Sequence, residues 1–555
     1  MPRDRPDGPL ALAAAAGVIA LALMQPNHPA SATWGALRIF PLELPMLLAA
    51  LALARGRPAR ALRVGVAAAL TLMVALKAAD LASNIAFQRP YNPLLDLHLA
   101  AAGWRLLTGA IGALTALAAI VALVTTLALA AGALWWATGR FAAADPPPAL
   151  RAPLGLALAV SAALVVADAA REASPIDPPG VAFTTRLAWE HARDAAAARA
   201  DLAAFRRAAA EDPLAALPPE ETLTALQGTD ILLIFVESYG RTTLESPRFA
   251  PAAAATLAEI EARLAAAGLA MRSGYLDSPT LGGQSWLAHA TLLSGLVIDN
   301  QGRYRALMAS PRRTLLGLAQ GAGWRSVAVA PAITLAWPEA AWFGYDRVLA
   351  AADLGYAGKP FNWVTMPDQF TLAAFERAEL DLTPRPPVIA EIALISSHAP
   401  WTPIPALLPW EALGDGRVFD AMAQAGPTPQ EVWGDLERVR DQFAQAIDYS
   451  LRTVGAFAER RAGAEAPLMI VLGDHQPATF VTREDTGRNV PIHLIGPPEA
   501  VARLDGWGWT PGLIAGPDAP VWGMAAFRDR FVAAFGPRTD TVCLGPGTLP
   551  KAHAC

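Results

Sequence analysis

The stretch "ILLIFVESYG", residues 231–240, decides the fold. Six apolar residues run without a polar interruption and then give way to Glu, Ser, Tyr and Gly. A strand with one wet face alternates apolar and polar residues. A run that is apolar throughout is buried on both faces, as in a parallel sheet covered by helices. Such sheets bind ligands beyond the carboxyl ends of their strands. Glu237 therefore stands where a site is expected.

The pattern repeats outward from there. "SVAVAP" 326–331, "VIAEIALI" 388–395 and "LMIVLG" 468–473 read as further strands, with amphipathic helices such as 254–267 and 433–458 between them. Residues 226–555 are thus expected to form an α/β/α domain with a largely parallel sheet. Polar residues follow these strands directly: Ser396-Ser397-His398 after one, Asp474-His475-Gln476 after another, while "VPIHLIG" 490–496 carries His493. Any one of them alone reads as a loop group satisfied by backbone. Their concentration at the ends where a site belongs favours chemistry. Asp474 and His475 suit a cation, carboxylate oxygen beside imidazole nitrogen, and Glu237 adds a second carboxylate.

Three such ligands leave a position for a hydroxyl, which a metal activates and orients. "PTLGGQSWLAHATLLSG", 279–295, supplies it. Gly282 and Gly283 allow close backbone approach. Ser285 then opens a helix whose free N–H groups and dipole favour an anion. A serine at a helix start is more often a plain cap, and it is the prospective partners that raise Ser285 to candidate nucleophile. Thr280, before the glycines, is the alternative. His289, one turn beyond Ser285, is a second candidate for facing the substrate.

Of the 555 residues, 54% are hydrophobic and 17% charged, and the net charge is −5. That balance suggests a membrane protein and offers no basic excess for nucleic acid. The apolar stretches crowd into the first third. Segments at about 9–24, 36–54, 61–79, 106–138 and 153–170 each read as a spanning helix, so residues 1–170 are expected to hold five spans. The fourth is expected to be one tilted helix, since 33 residues at 1.5 Å each reach roughly 50 Å. Arg3, Arg5, Arg55, Arg57, Arg60, Arg63, Arg140 and Arg151 fall on one side, which makes the N-terminus cytoplasmic and the later domain extracytoplasmic, in an inner membrane. In the outward loop 77–105, Asp96 and His98 are within reach of a lipid headgroup, though solvation at the interface is the plainer reading. Residues 171–225, with a helix near 183–212, are expected to link the two parts along the membrane surface. The two cysteines, Cys543 and Cys555, read as one disulfide in an oxidising compartment.

At these motifs the chain resembles the sulfatase-like branch of the alkaline phosphatase superfamily, and more narrowly the lipoteichoic acid synthase and lipid A phosphoethanolamine transferase group. "FVESYG", "GGQSWLAH", "ISSHAPW" and "VLGDHQP" carry the resemblance. It implies one divalent metal ion (Mn, Zn or Mg), with room for a second, on Glu237, Ser285, Asp474 and His475. It implies a phosphate or substrate contact at His398. Asp368 of "MPDQFTLAAF" lines up with a family element, and Trp342 and Arg347 of "WFGYDR" with a substrate-side stretch. His493 is a further candidate for the phosphate or a second metal. Two departures matter. The named transferases usually carry Thr at the nucleophile position, and "SWLAH" lacks the Pro and Arg that sulfatases need to make formylglycine, which argues against sulfate ester hydrolysis.

The resulting expectation is transfer of a phospholipid headgroup, of the phosphoglycerol or phosphoethanolamine type, to an envelope glycan or lipid through a phospho-serine. A phosphodiesterase or phosphatase using water would carry the same residues. An inactive scaffold is disfavoured by the intact Glu, Ser, Asp and His.

Overall fold

A computed structural model describes residues 8–35, 38–87, 89–93, 96, 99–169, 180–483 and 487–537. His98 and the expected Cys543–Cys555 disulfide lie outside the described residues. The chain divides into two compact units, Met1–Ala204 and Phe205–Cys555.

The first unit is helical: α1 (Pro9–Met24), α2 (Glu43–Leu53), α3 (Gly56–Phe87), α4 (Leu99–Ile111), α5 (Ala113–Ala143), α6 (Pro148–Ala169) and the start of α7 (Phe183–Ala210). Three of these, α3, α5 and α6, are long and apolar enough to cross a membrane; α1 and α2 are shorter apolar helices. Two expectations are corrected. The span expected at 36–54 yields a helix of only 11 residues, about 16 Å long, because its first residue is the buried carboxylate Glu43. The span expected at 106–138 is not one helix. It breaks at Gly112, whose φ of 80° is left-handed and easily adopted only by glycine. Residues up to Ile111 belong to α4, which packs against α5.

Buried charges in this unit are partnered. Glu43 Oε1 accepts from the N–H groups of Thr184 and Thr185 at 2.8 and 3.0 Å, which caps the first turn of α7. Asp80 accepts from Tyr91 N–H at 2.9 Å and meets His191 Nε2 at 3.0 Å. Lys77 Nζ donates to the Leu23 carbonyl at 2.6 Å and to Thr184 Oγ1 at 3.2 Å. Asp96 is not left to a lipid: it is buried, and Arg89 grips both its oxygens at 2.6 and 2.7 Å.

The second unit is built on nine strands: β1 (Ile231–Val236), β2 (Ala270–Asp277), β3 (Arg325–Ala330), β4 (Arg347–Ala350), β5 (Val388–Leu394), β6 (Leu468–Gly473), β7 (Asn489–Gly496), β8 (Thr510–Pro511) and β9 (Val521–Gly523). Their order is β4-β3-β5-β1-β6-β7-β2-β8, with β9 beside β2. The five strands from β4 to β6 run parallel; β7 is antiparallel to both its neighbours. Every residue of β1 and of β6 is buried, as their unbroken apolar runs require. Alternation sends Leu232, Ile234 and Val236 into a core with the helices Ala250–Ala266 and Leu436–Arg460. Phe235 points to the other face, where it meets the helix Ser285–Ser294 through His289.

Candidate active site

Register assembles the centre. Val236 of β1 pairs with Gly473 of β6 and with Leu394 of β5, so Glu237, Asp474 and the Ser396–His398 loop leave the sheet side by side. The loops after β1 and β6 approach closely, and glycine makes that approach feasible. A Cβ on Gly473 would sit 1.9 Å from the Tyr239 carbonyl, and one on Gly240 1.8 Å from Gln476 Oε1.

Glu237, Asp474 and His475 are buried, and they alone among the described residues gather three ligand atoms within 4.8 Å of one another. His475 Nε2 lies 3.2 Å from Glu237 Oε1 and 3.6 Å from Asp474 Oδ2. Its Nδ1 is 2.8 Å from the Gln476 carbonyl. A carbonyl only accepts, so Nδ1 carries the hydrogen and Nε2 turns its lone pair to the carboxylates, the orientation a metal-ligating histidine needs. Asp474 Oδ1 accepts from the Ser238 and His475 N–H groups at 2.8 and 2.7 Å, which leaves Oδ2 for the centre.

The electrostatics call for a cation. Burial, then the Glu237 charge, push Asp474 up to about 6. Burial opposes a charge on His475, yet Asp474 and Glu237 outweigh it and raise the imidazole to about 9. Burial likewise opposes ionisation of Glu237, but the His475 charge and hydrogen bond win and hold that carboxyl below its usual range. Two buried carboxylates thus draw a proton onto the one imidazole between them. A divalent ion would satisfy the same demand, and one nitrogen with oxygen donors suits Zn or Mn.

Ser285 enters this group. Its Oγ donates to Glu237 Oε2 at 3.0 Å and lies 3.3 Å from His475 Nε2. It is the first residue of its helix; the capping position belongs to Gln284, in the left-handed conformation at φ 68°, and the serine hydroxyl caps nothing. Gly282 N–H bonds the Gln476 carbonyl at 2.9 Å, docking the glycine turn onto the Asp-His loop. Thr280 is buried nearby in sequence, and its hydroxyl makes no bond to the three ligands.

His398 lies close enough for its charge to help hold Glu237 ionised. Its ring stacks on Trp363 with centroids 3.9 Å apart, and Nδ1 is 2.6 Å from the Ala399 carbonyl. Nε2 makes no hydrogen bond among the described residues.

Other sequence candidates fall elsewhere. His493 is buried in β7 between Ser273 Oγ at 2.7 Å and Tyr239 Oη at 3.0 Å. Burial lowers it to about 4, so it is a neutral strut under the Tyr239 turn rather than a phosphate or metal contact. Asp368 is also buried. Its carboxylate accepts from the N–H groups of Ile395 and Ser396 and from Ser450 Oγ at 2.9, 2.8 and 2.6 Å. It shapes the loop that carries His398 instead of meeting substrate. Arg347 opens β4 at the sheet edge and pairs with Glu379 at 2.9 Å, sharing it with Arg325 at the start of β3. That is the amino end of the strands, away from the site. Trp342 donates to the Ser310 carbonyl at 3.1 Å and packs on Phe343, with no contact to the ligand group. His289 meets Glu391 at 2.6 Å.

Sequence reasoning set Ser238 and Ser397 at strand ends without a role, and it overlooked Trp363, Glu391 and Tyr345. Ser238 Oγ donates to Glu237 Oε1 at 2.9 Å, and Ser397 Oγ to the Glu237 carbonyl at 2.7 Å. Glu391 carried a signal, a lone charge inside the apolar run "VIAEIALI".

No family model and no curated protein matches the chain. Solved structures do. The lipoteichoic acid synthase LtaP from Listeria monocytogenes is 13% identical with a TM-score of 0.37, covering 58% of this chain and 75% of that one. An alkaline phosphatase superfamily protein from Vibrio parahaemolyticus is 14% identical at 0.35, covering 61% and 75%. The C-terminal periplasmic domain of EcEptC from Escherichia coli, in complex with Zn, is 14% identical at 0.36, covering 56% and 83%. At such scores a functional reading rests on the site's own geometry.

Proposed function

We propose that the chain is a metal-dependent phosphotransferase of the sulfatase-like kind. It moves a phospholipid-derived headgroup, of the phosphoglycerol or phosphoethanolamine type, to an envelope glycan or lipid by way of a phospho-serine at Ser285. One observation carries the reading: a serine hydroxyl sits inside a buried cluster of metal-ligand atoms, 3.0 Å from Glu237 Oε2 and 3.3 Å from His475 Nε2.

Glu237, Asp474, His475 and Ser285 would hold a divalent ion, which when bound would lower the hydroxyl's pKa and offset phosphoryl charge. Ser285 Oγ attacks the phosphorus. The helix that Ser285 opens turns its free N–H groups toward the anion. His398, held by its stack on Trp363 and by Nδ1–H on the Ala399 carbonyl, donates from Nε2 to a phosphoryl oxygen as the imidazolium. The Ser396–His398 loop, braced by Asp368, keeps that donor in place. The three apolar helices confine the second unit to a membrane, where a phospholipid donor is found. The positive-inside count puts that unit outside the cytoplasm.

The test is Ser285→Ala in the full chain, supplied with labelled phosphatidylglycerol or phosphatidylethanolamine. Headgroup transfer and the phospho-enzyme adduct are both expected to vanish. Retention of both would sink the assignment, and release of free headgroup phosphate by the wild-type chain whatever acceptor is offered would make it a hydrolase.

A further inference from the structure

One group of chemically capable side chains takes no part in that mechanism. His289 lies one helical turn beyond Ser285, which puts both on one face of their helix. Its ring lies flat on Phe235, with centroids 3.7 Å apart and planes at 14°. Nδ1 is 2.6 Å from Glu391 Oε1. Tyr345 O–H donates to the other oxygen of the same carboxylate. Glu391 projects from the middle of β5, in register with Leu233, and 7% of its side chain is exposed, against 14% for His289.

Glu391 accepts from both neighbours, which fixes the imidazole with Nδ1–H toward the carboxylate. Ring position, tautomer and tilt are then all set by Glu391, Tyr345 and Phe235. Nε2 makes no hydrogen bond among the described residues, and the ring is close enough to Asp474 for a charge on it to favour that carboxylate. An imidazole oriented by a buried carboxylate, with its second nitrogen unbonded and one helical turn from a nucleophile, is built to carry a proton. A carboxylate in the centre of an apolar strand is costly unless paired. The pairing here serves a histidine that the metal centre does not need as a ligand.

We propose that His289 is a catalytic residue, the proton shuttle of the transfer, and that Glu391 and Tyr345 are its positioning residues. This rests on the phosphotransfer reading above. In the first half-reaction the Ser285 alkoxide forms the Oγ–P bond, the bond from phosphorus to the lipid alcohol breaks, and imidazolium Nε2 gives its proton to the departing alkoxide. In the second half the acceptor hydroxyl gives its proton to the now neutral Nε2 as its oxygen bonds to phosphorus. The Oγ–P bond breaks, and both the Ser285 alkoxide and the imidazolium are restored. Atoms, charge and protons balance with no further reactant.

Leaving groups separate this role from a structural one. The full-length chain, with Zn or Mn, is given two donors of the same transferred group. One is vesicles of phosphatidylglycerol and phosphatidylethanolamine, whose leaving alkoxide needs a proton. The other is the p-nitrophenyl ester of glycerol phosphate or ethanolamine phosphate, whose leaving phenolate does not. Because the second half-reaction draws on His289 with either donor, leaving-group release is read in a single turnover: His289→Gln is expected to lose about 100-fold or more in diacylglycerol release from vesicles and less than about fivefold in the p-nitrophenol burst, as for removal of a general acid. Glu391→Gln should show the same split with a smaller loss, and it decides the matter if the His289 variant does not fold. Equal losses on both donors, or no loss on vesicles, overturn the shuttle and leave phosphotransfer standing. Failure of the wild-type chain to use either donor overturns both.

Discussion

Both units bury carboxylates that have partners of their own, but among the described residues only the sheet unit also turns two of them toward one point. In the helical unit each acid has its own donors: Glu43 takes two N–H groups at the start of α7, and Asp80 takes Tyr91 N–H and His191. In the sheet unit, Glu237 and Asp474 face each other across one imidazole and a hydroxyl. A buried charge with its own partners holds chain segments together. Buried like charges turned toward one point raise each other's energy and demand a cation. Burial alone does not mark a site; the direction in which the charges face does.

The comparison breaks most sharply at Asp474. Asp474→Asn removes a ligand and one of the charges that draws the cation. We expect loss of stoichiometric metal and a drop in headgroup transfer of about a thousandfold or more, by analogy with loss of an activating group. Metal analysis and turnover on the purified chain check it. Wild-type metal content would put the cation elsewhere.

Asp80→Asn is the counterpart in the helical unit. Losing charge-assisted bonds to Tyr91 and His191 should cost about 2–3 kcal/mol, read as earlier thermal unfolding in detergent. Metal content should be unchanged. If that variant lost metal, the two kinds of acid would not be separate in role.

The pH dependence of metal binding sharpens the contrast further. His475 is raised to about 9 before a metal binds, and ligation requires neutral Nε2. Proton and metal therefore compete. Apparent affinity should rise about tenfold per pH unit on the way up to about 9 and then level off. Below about 6, where Asp474 also takes up a proton, the dependence should steepen. Titration calorimetry across this range measures it, and a flat profile would remove His475 from the ligand set.

Arg347→Ala should do least. The side chain lies at the amino end of β4 with Glu379, so transfer should change by less than about twofold, as for surface sites distant from the chemistry. A large loss with intact folding would return Arg347 to the list of substrate contacts.

Much of the layout was legible in one dimension. The strands at 231–236 and 468–473 follow from unbroken apolar runs and that at 388–394 from a run broken only by Glu391, because a strand buried on both faces has little room for polar residues. The rule that sites lie at the carboxyl ends of parallel strands picked out Glu237, Asp474, His475 and His398. Spacing could not tell a ligand from a strut. His493 and Asp368 have the right chemistry, and only the packing of β2 against β7, or of Ser450 against the loop after β5, turns them inward to backbone and hydroxyl partners. Helix ends in the first unit also escaped, since a glycine inside an apolar run permits a break without requiring one, and Gly112 makes it where α4 packs back on α5.

What the sequence by itself determined is the set of strands, the apolar helices and the chemical types waiting at the strand ends, because periodicity and residue chemistry are local properties. What only the tertiary structure decided is the direction of each side chain. Strand register set Glu237 beside Asp474. The Gln476 carbonyl oriented His475, and the docking of the glycine turn brought the Ser285 hydroxyl into the ligand group while the Glu391–Tyr345 pair claimed His289. Apart from the adjacent Gln476 carbonyl, those choices depend on contacts between residues 46 to 236 positions apart, and no local pattern carries that information.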